Sequence, residues 1–437
     1  MLEVVAPAAK HHGPGAELRH AGRLLVAIWL TYIGLSLVGI RFRDIPIREP
    51  DDSYYYLQTA KSIASGKGHV TRFLFAYQPP LFPAFLAASL SLGLWSISGL
   101  KLVSLLVLST SVFLIYWIGQ RLTSSTAGLA GAALFSVMPW MVGLPNMLLS
   151  ECLFLPLYLL CLALLIVAFQ SRAIFVFALA GVATGIAALC REVLLYLPVV
   201  VLVQLLLWRQ TRKRAVLYVL AFSAAQVGVL LPWAARNYAI FGHLVPISTN
   251  PWINIYIGNN PVHENVDSWT WVLPQGTSWN AREQPGGRDE YETMKRSKEE
   301  ALAYIASEPM EFVKRVLKRA WRFVTPHFEL VGRLGTSRGI AILVCWNLVL
   351  YSAFLAGFVG AVIWEWRVGS VGARRGFLLL AVLLSAYFTA VAGVTTSNER
   401  YRLPLTILML VVSTQWVPTS WAGLAKVRYH CSFGFKA

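Results

Sequence analysis

The stretch Arg23–Arg43, RLLVAIWLTYIGLSLVGIRFR, decides what kind of fold this chain can have. From Arg23 to Ile40 it is apolar for roughly the 20 residues that a helix needs to cross a bilayer. It carries no small-residue cleavage site and ends on Arg41-Phe42-Arg43, so it reads as an anchor and not as a removed leader. The rest of the chain has the same character. Its 437 residues are 57% hydrophobic and only 14% charged, with a mean hydropathy of +0.58, far from the balance of a water-soluble domain. The expectation is a polytopic membrane protein.

Further apolar runs of spanning length lie near 101–119, 127–145, 152–169, 173–190, 193–208, 215–233, 340–364, 376–394 and 403–420. With the first they make about ten transmembrane helices. One more, 80–97, starts Pro80-Leu81-Phe82-Pro83, and counting it as a crossing would invert everything after it. The excess of Lys and Arg in cytoplasmic loops arbitrates. If 80–97 stays in the outer interface, the loops with Arg121, Arg172, Arg209–Arg214, Arg374-Arg375 and Lys426 all face the cytoplasm, as do both termini. The formal net charge of +17 is then a topology signal spread over short loops, not a nucleic-acid footprint. The cysteines Cys152, Cys161, Cys190, Cys345 and Cys431 fall mostly in apolar runs without paired spacing, and read as small buried hydrophobes.

That topology divides the chain into a cytoplasmic tail 1–21, a transmembrane catalytic module 22–233 with a first outer loop 41–100, a periplasmic segment 234–338, C-terminal transmembrane helices 339–420, and a cytoplasmic tail 421–437. The segment 234–338 reads as a small mixed subdomain containing Trp252, Trp269, Trp271 and Trp279, with a loop around Pro274 and Pro285-Gly286-Gly287. Its stretch from Glu290 to Arg322 is charged and helix-prone, as an amphipathic helix resting on the membrane would be. No internal repeat or low-complexity segment is visible.

Ionisable residues at the outer ends of the spans form one set: Asp51 and Asp52, Lys101, Glu151, Arg191-Glu192, Arg236, and Glu399, Arg400 and Arg402. Arginine on the outer side runs against the usual bias and calls for a reason. Guanidiniums grip phosphate bidentately, and a carboxylate can take a proton from an acceptor. Each residue alone has a plain structural reading: Asp51 or Asp52 as a helix cap, Arg191-Glu192 as a local pair, Lys101 as an interfacial anchor, His69 and His263 as surface residues. Their convergence suits an anionic, lipid-borne substrate. Paired acids can also hold a divalent ion, and the arginines are the alternative phosphate clamp.

The order of motifs resembles the GT-C glycosyltransferases, in the branch of the protein O-mannosyltransferases and aminoarabinose transferases. Asp52-Ser53-Tyr54-Tyr55-Tyr56-Leu57-Gln58-Thr59-Ala60 with Gly66-Lys67-Gly68 is similar to the branch's first outer loop. Tyr77-Gln78-Pro79-Pro80-Leu81 looks like its His-Pro-Pro-Leu element, with glutamine for histidine. Leu149-Ser150-Glu151 matches its second acidic position, and Gly185–Arg191 resembles its Gly…Leu-x-Arg span end. Pro232-Trp233-Ala234-Ala235-Arg236-Asn237-Tyr238 resembles its exit from span seven, and Glu399-Arg400-Tyr401-Arg402-Leu403-Pro404 its Arg-Tyr-x-x-Pro. The pieces cover residues 50 to 410 in the family's order.

The resemblance implies an all-α polytopic membrane protein of GT-C type, with interfacial outer-loop helices and a small periplasmic subdomain. It also implies a polyprenyl-phosphate sugar donor, metal independence and no cofactor, and an active site under the outer loops. Aligning on the following tyrosine and alanine puts Asp52 on the branch's catalytic aspartate; aligning on paired acids brings in Asp51. Asp52 is preferred as the base that deprotonates an acceptor, with Asp51 the close alternative and Glu151 orienting sugar or acceptor. Arg236, Arg400, Arg402, Arg191 and Lys101 would hold the donor phosphate, and Tyr55, Tyr56, Gln78, Glu192 and Asn237 the rest of the substrate. The acceptor would be a glycan, lipid or protein at the outer face of a bacterial inner membrane, and single displacement would invert the anomeric carbon. A transporter or flippase of lipid-linked sugars is the competing class, but it would favour repeated halves and midplane charges.

Overall fold

A computed structural model describes residues 14–42, 45–49, 51–71, 74–208, 212–262, 274, 288–326, 338–368, 373–396 and 400–415. Among them no strand occurs, only an isolated bridge between Thr71 and Leu74. The fold is all-α, as expected. The sixteen α-helices of the described residues are α1 (Pro14–Phe42), α2 (Asp52–Ala64), α3 (Leu81–Ser91), α4 (Ile97–Leu122), α5 (Ser125–Val137), α6 (Pro139–Gly143), α7 (Glu151–Ser171) and α8 (Ile174–Cys190), followed by α9 (Leu197–Leu207), α10 (Arg212–Phe241), α11 (Asn250–Gly258), α12 (Arg288–Ser307), α13 (Pro309–Val324), α14 (Arg338–Val368), α15 (Ala373–Val394) and α16 (Leu403–Thr414).

Among the described residues six helices are long and apolar enough to cross a membrane by themselves: Arg19–Phe42, Ile97–Leu122, Glu151–Ser171, Lys213–Phe241, Ala341–Arg367 and Arg374–Val394. This is an integral membrane protein. A seventh crossing is the pair Ser125–Val137 and Pro139–Met147, bent by 58°. The bend has a local cause. Met138 precedes a proline and adopts an extended conformation (φ −73°, ψ 120°), because the proline ring disfavours helical geometry in the residue before it. The expected spans at 173–190 and 193–208 are shorter helices of 17 and 11 residues, about 26 and 16 Å at 1.5 Å per residue. α3 is likewise 11 residues, about 16 Å, too short for a hydrocarbon core of roughly 30 Å. It ends in exposed Leu92 and Trp95 (84% and 72%), the composition of an interfacial tip.

Small residues let the bundle close. Gly181 and Gly185 on α8 form a Gly-x-x-x-Gly face against α10, and a Cβ at Gly181 would sit 2.1 Å from the Phe222 carbonyl oxygen. Backbones approach this closely only where no side chain intervenes. The buried cysteines Cys152, Cys161 and Cys190 and the exposed Cys345 are free thiols; Cys431 lies outside the described residues.

The outer segment departs from its expected form in two ways. Its described parts are helical, not mixed, and the single helix expected from Glu290 to Arg322 is two, α12 and α13, divided at Glu308-Pro309. Proline fits the first turn of α13, where its missing N–H costs nothing, and it ends α12. α13 exposes Met310, Val313, Leu317 and Trp321 along one face, the apolar stripe of a helix that rests on a membrane. Its other face is pinned: Arg319 donates to the carbonyls of Gly393 (2.7 Å) and Gly258 and to Asn259 Oδ1 (2.8 Å). Trp269, Trp271, Trp279, Pro285–Gly287 and His263 lie outside the described residues.

Candidate active site

Four helix ends meet at one charged cluster. Asp52 is the first residue of α2, Glu151 the first of α7, Arg191 caps the C-terminus of α8, and Arg400 opens a 3-10 turn leading into α16. Both carboxylates thus stand at helix N-termini, where unpaired N–H groups favour negative charge. The chain reaches Glu151 through Leu148, which is left-handed at φ 51°, a conformation costing on the order of 1–3 kcal/mol outside glycine. That turn delivers Ser150 and Glu151 to the cluster.

Arg400 joins the two acids, its Nε donating to Glu151 Oε1 at 2.7 Å and its Nη1 to Asp52 Oδ2 at 2.8 Å. Arg191 Nη1 lies 2.6 Å from the same Glu151 oxygen and 3.3 Å from Ser150 Oγ. The Tyr56 hydroxyl donates to Ser150 Oγ at 3.1 Å, and Ser150 Oγ donates to Glu151 Oε2 at 3.4 Å. The Tyr401 ring lies beneath both guanidiniums, 5.2 Å from Arg191 and 6.0 Å from Arg400. Tyr77 is buried within electrostatic reach of Asp52, Tyr401, Tyr56 and Tyr55. Exposure divides the two acids: the Glu151 side chain is 1% accessible and that of Asp52 is 31%. Glu151 is the buried anchor that fixes two guanidiniums, and Asp52 is the acid that a substrate can reach. Asp51 is exposed and stands at the N-cap of α2 without a side-chain hydrogen bond to it.

Most of the other sequence-nominated residues bond elsewhere, so the expected set is spread over several sets of partners. Arg236 donates to the carbonyls of Phe75 (2.7 Å) and His69 (2.9 Å) and to Asn237 Oδ1 (2.9 Å), and stacks 4.5 Å over Trp233. Asn237 donates to the carbonyls of Val245 and Ile247. Lys101 is buried, bound to the Ile45 carbonyl (3.0 Å) and Asn146 Oδ1 (2.8 Å). Arg402 donates to the Thr325 carbonyl (2.7 Å) and lies 4.0 Å over Tyr351. Glu192 accepts from Ser248 Oγ at 3.0 and 3.1 Å. Gln78 is buried with an unpartnered Oε1, and Tyr55 is half-buried. Glu399 lies outside the described residues. Arg236 meets loop carbonyls and Arg402 a helix-end carbonyl, groups without partners in regular secondary structure, and a guanidinium carries five donors.

His69 is largely enclosed and not a surface residue: its ring packs 4.9 Å from Trp233, and burial lowers its pKa to about 4. Sequence reasoning also passed over Ser150, Tyr77 and Tyr401, which sit inside the motifs beside nominated residues. It missed Glu290 altogether. Glu290 Oε2 accepts from the Phe75 N–H (2.5 Å), and Oε1 from the Ala76 N–H (3.1 Å) and the Thr249 hydroxyl (2.7 Å). Burial raises its pKa to about 7. No spacing on α12 distinguishes it from the other acids there.

Among the described residues no three His, Cys, Asp or Glu side chains converge as metal ligands. The two acids of the cluster share Arg400 as their counter-ion.

Comparison with known proteins follows the same lines. The family described as dolichyl-phosphate-mannose-protein mannosyltransferase matches residues 77–234, less than half of the chain; that stretch holds Tyr77, Gln78, Glu151 and Arg191 but neither Asp52 nor Arg400. No curated protein matches. Among solved structures, the oligosaccharyltransferase AglB of Archaeoglobus fulgidus, in complex with an inhibitory peptide and a dolichol-phosphate, is similar at TM-score 0.56 and 12% identity over 91% of this chain and 50% of that one. The same archaeal enzyme with Zn and sulfate gives 0.55 and 13% over 90% and 48%. ArnT of Cupriavidus metallidurans bound to undecaprenyl phosphate aligns over 92% of this chain and 78% of its own, at TM-score 0.38 and 14% identity. The chain spans about half the length of the archaeal enzyme. Its fold is that of the GT-C membrane glycosyltransferases, the group its outer-loop motifs resemble, with a stretch matching the mannosyltransferase family at its centre.

Proposed function

We propose that this protein moves a hexosyl or pentosyl group from a polyprenyl-phosphate donor to a glycan, lipid or protein acceptor. The observation that carries the reading is Arg400, which holds an accessible carboxylate and a buried one on the same guanidinium. Asp52 takes the acceptor's hydroxyl proton as the acceptor oxygen bonds to the anomeric carbon. The bond from that carbon to the phosphate oxygen breaks, and its electron pair leaves with the polyprenyl phosphate. One displacement inverts the anomeric centre. A phosphodiester donor carries one negative charge and the departing phosphate approaches two, so Arg400 and Arg191 stabilise the leaving group more than the bound donor. Only such differential stabilisation speeds the step.

Glu151 holds both guanidiniums in place, and Tyr56 and Ser150 complete its hydrogen bonds. Arg236, Arg402 and Lys101, bound to loop and helix-end carbonyls, shape the walls instead of gripping phosphate. Transfer proceeds without a metal ion. The loop charges support a site facing away from the cytoplasm, which in a bacterial inner membrane is the periplasm.

The test is sugar transfer by the purified protein from a panel of polyprenyl-phosphate sugars. Asp52→Asn is expected to lose about 10²–10⁴-fold in kcat while still binding the donor, and EDTA to leave the wild type unchanged. Failure to transfer from every donor, with movement of donor across vesicles, would give the chain to the flippase class.

A further inference from the structure

The first outer loop is held from a direction that the transfer mechanism does not use. Residues 75 and 76 are fixed on both backbone edges. Their N–H groups go to the Glu290 carboxylate on α12, the Phe75 carbonyl accepts from Arg236, and the Ala76 carbonyl accepts from the Thr249 N–H at 3.0 Å. The Thr249 hydroxyl closes the ring by donating to Glu290. Its neighbour Ser248 donates to Glu192, next to Arg191 of the cluster. The residue after this clamped pair is Tyr77, which is buried within electrostatic reach of Asp52, Tyr401, Tyr56 and Tyr55.

On the transferase reading given above, we infer that Glu290 is a positioning residue: from helix α12 it clamps residues 75 and 76 and thereby sets where Tyr77 sits beside Asp52. The clamp is 4% exposed at Glu290, and a buried carboxylate is retained there at the desolvation cost that lifts its pKa to about 7. An apolar contact of the same shape would leave the N–H groups of Phe75 and Ala76 buried without acceptors. What a carboxylate adds is two acceptor oxygens, one for each consecutive N–H of a loop that has no other backbone pairing on that edge. The outer segment thereby reaches the site without touching substrate, and Arg236 and Thr249 work through the same two residues.

The experiment combines kinetics with a chemical probe of loop position, in full-length protein carrying Cys345→Ser and Cys431→Ser. Glu290→Ala is expected to lower kcat/KM about 10–100-fold, the scale of a misplaced site group, and Glu290→Gln, which keeps one of the two acceptor oxygens, to show an intermediate loss. In parallel, a Tyr77→Cys reporter is alkylated with a membrane-impermeant maleimide. Labelling at least about tenfold faster in the Glu290→Ala background is the expected sign of a released loop. Thr249→Val, lacking the hydroxyl that donates to Glu290, serves as the second variant and shifts both readouts the same way. Unchanged labelling overturns the inference, as does accelerated labelling with kcat/KM within twofold of wild type. Should no donor support transfer, accelerated labelling still upholds the clamp, and the failure then belongs to the transferase reading.

Discussion

Two places in this molecule bring arginine and carboxylate together, and they use them in opposite ways. In the Asp52–Arg400–Glu151–Arg191 cluster, charge meets charge side chain to side chain, with two acids and two guanidiniums in balance. In the clamp, Arg236 and Glu290 feel one another's charge, but their hydrogen bonds go to the backbone of residues 69–76. Side-chain pairs can be exchanged for a phosphate or an acceptor hydroxyl, because the substrate offers the same kinds of charge. A guanidinium committed to loop carbonyls has no such exchange available without undoing the loop. The same residue types thus make a site in one place and a frame in the other.

Substitutions separate the two. After the loss at Asp52→Asn, the largest effect is expected at Arg400→Lys. A lysine reaches one acid but not both, so kcat/KM falls about 10²–10³-fold, the usual cost of one transition-state donor. Arg191 still covers the buried Glu151, so the variant folds. Equal losses at Arg191→Lys and Arg400→Lys would erase the distinction between anchor and base. The clamp responds through pH. Glu290 has a pKa of about 7 in the fold against an ordinary 4.5. Between those values the folded protein keeps a proton that the unfolded chain has lost, so ionisation costs stability as pH rises through that window, and the cost is complete above about 7. Glu290→Gln cannot ionise, so its thermal midpoint relative to wild type should rise by roughly a few degrees between pH 5 and pH 8, from an offset at pH 5 set by the acceptor oxygen it lacks. Identical offsets at both pH values would show that Glu290 does not titrate there. His69, with its pKa lowered to about 4, gives the opposite slope in both proteins and cancels in the difference. The smallest effect is expected at Asp51→Asn, within about twofold in kcat/KM, since surface changes away from paired groups rarely exceed ~0.5 kcal/mol. A loss there comparable to that of Asp52→Asn would move the base one residue upstream.

Much of this could be read from the sequence because it is local. Apolar length marks α1, α4, α7, α10, α14 and α15, and the bend after α5 is written in Met138-Pro139. Asp52, Glu151 and Arg400 were nominated from span ends and motif order, although Asp52 and Arg400 are 348 residues apart. What they are bonded to was not legible. Arg236 and Arg402 have the same local signature as Arg400, a guanidinium at an outer helix end. Only the folded chain shows that theirs go to the carbonyls of Phe75, His69 and Thr325. Glu290 carries no local mark, because its partners are backbone N–H groups more than two hundred residues away.

The short helix α3 insulates the site. The chain leaves the clamp at Ala76, passes Tyr77 and Gln78, and enters a rod about 16 Å long whose far tip exposes Leu92 and Trp95. Between the two ends Phe82, Leu86, Ala87 and Leu90 are buried, so the rod is seated on protein along its length, on α2 above all. Tryptophan at the tip favours a membrane interface, and a change of bilayer thickness would act on that tip first. Transfer is expected to vary little with lipid chain length, because the seat of α3 lies between the tip and Tyr77.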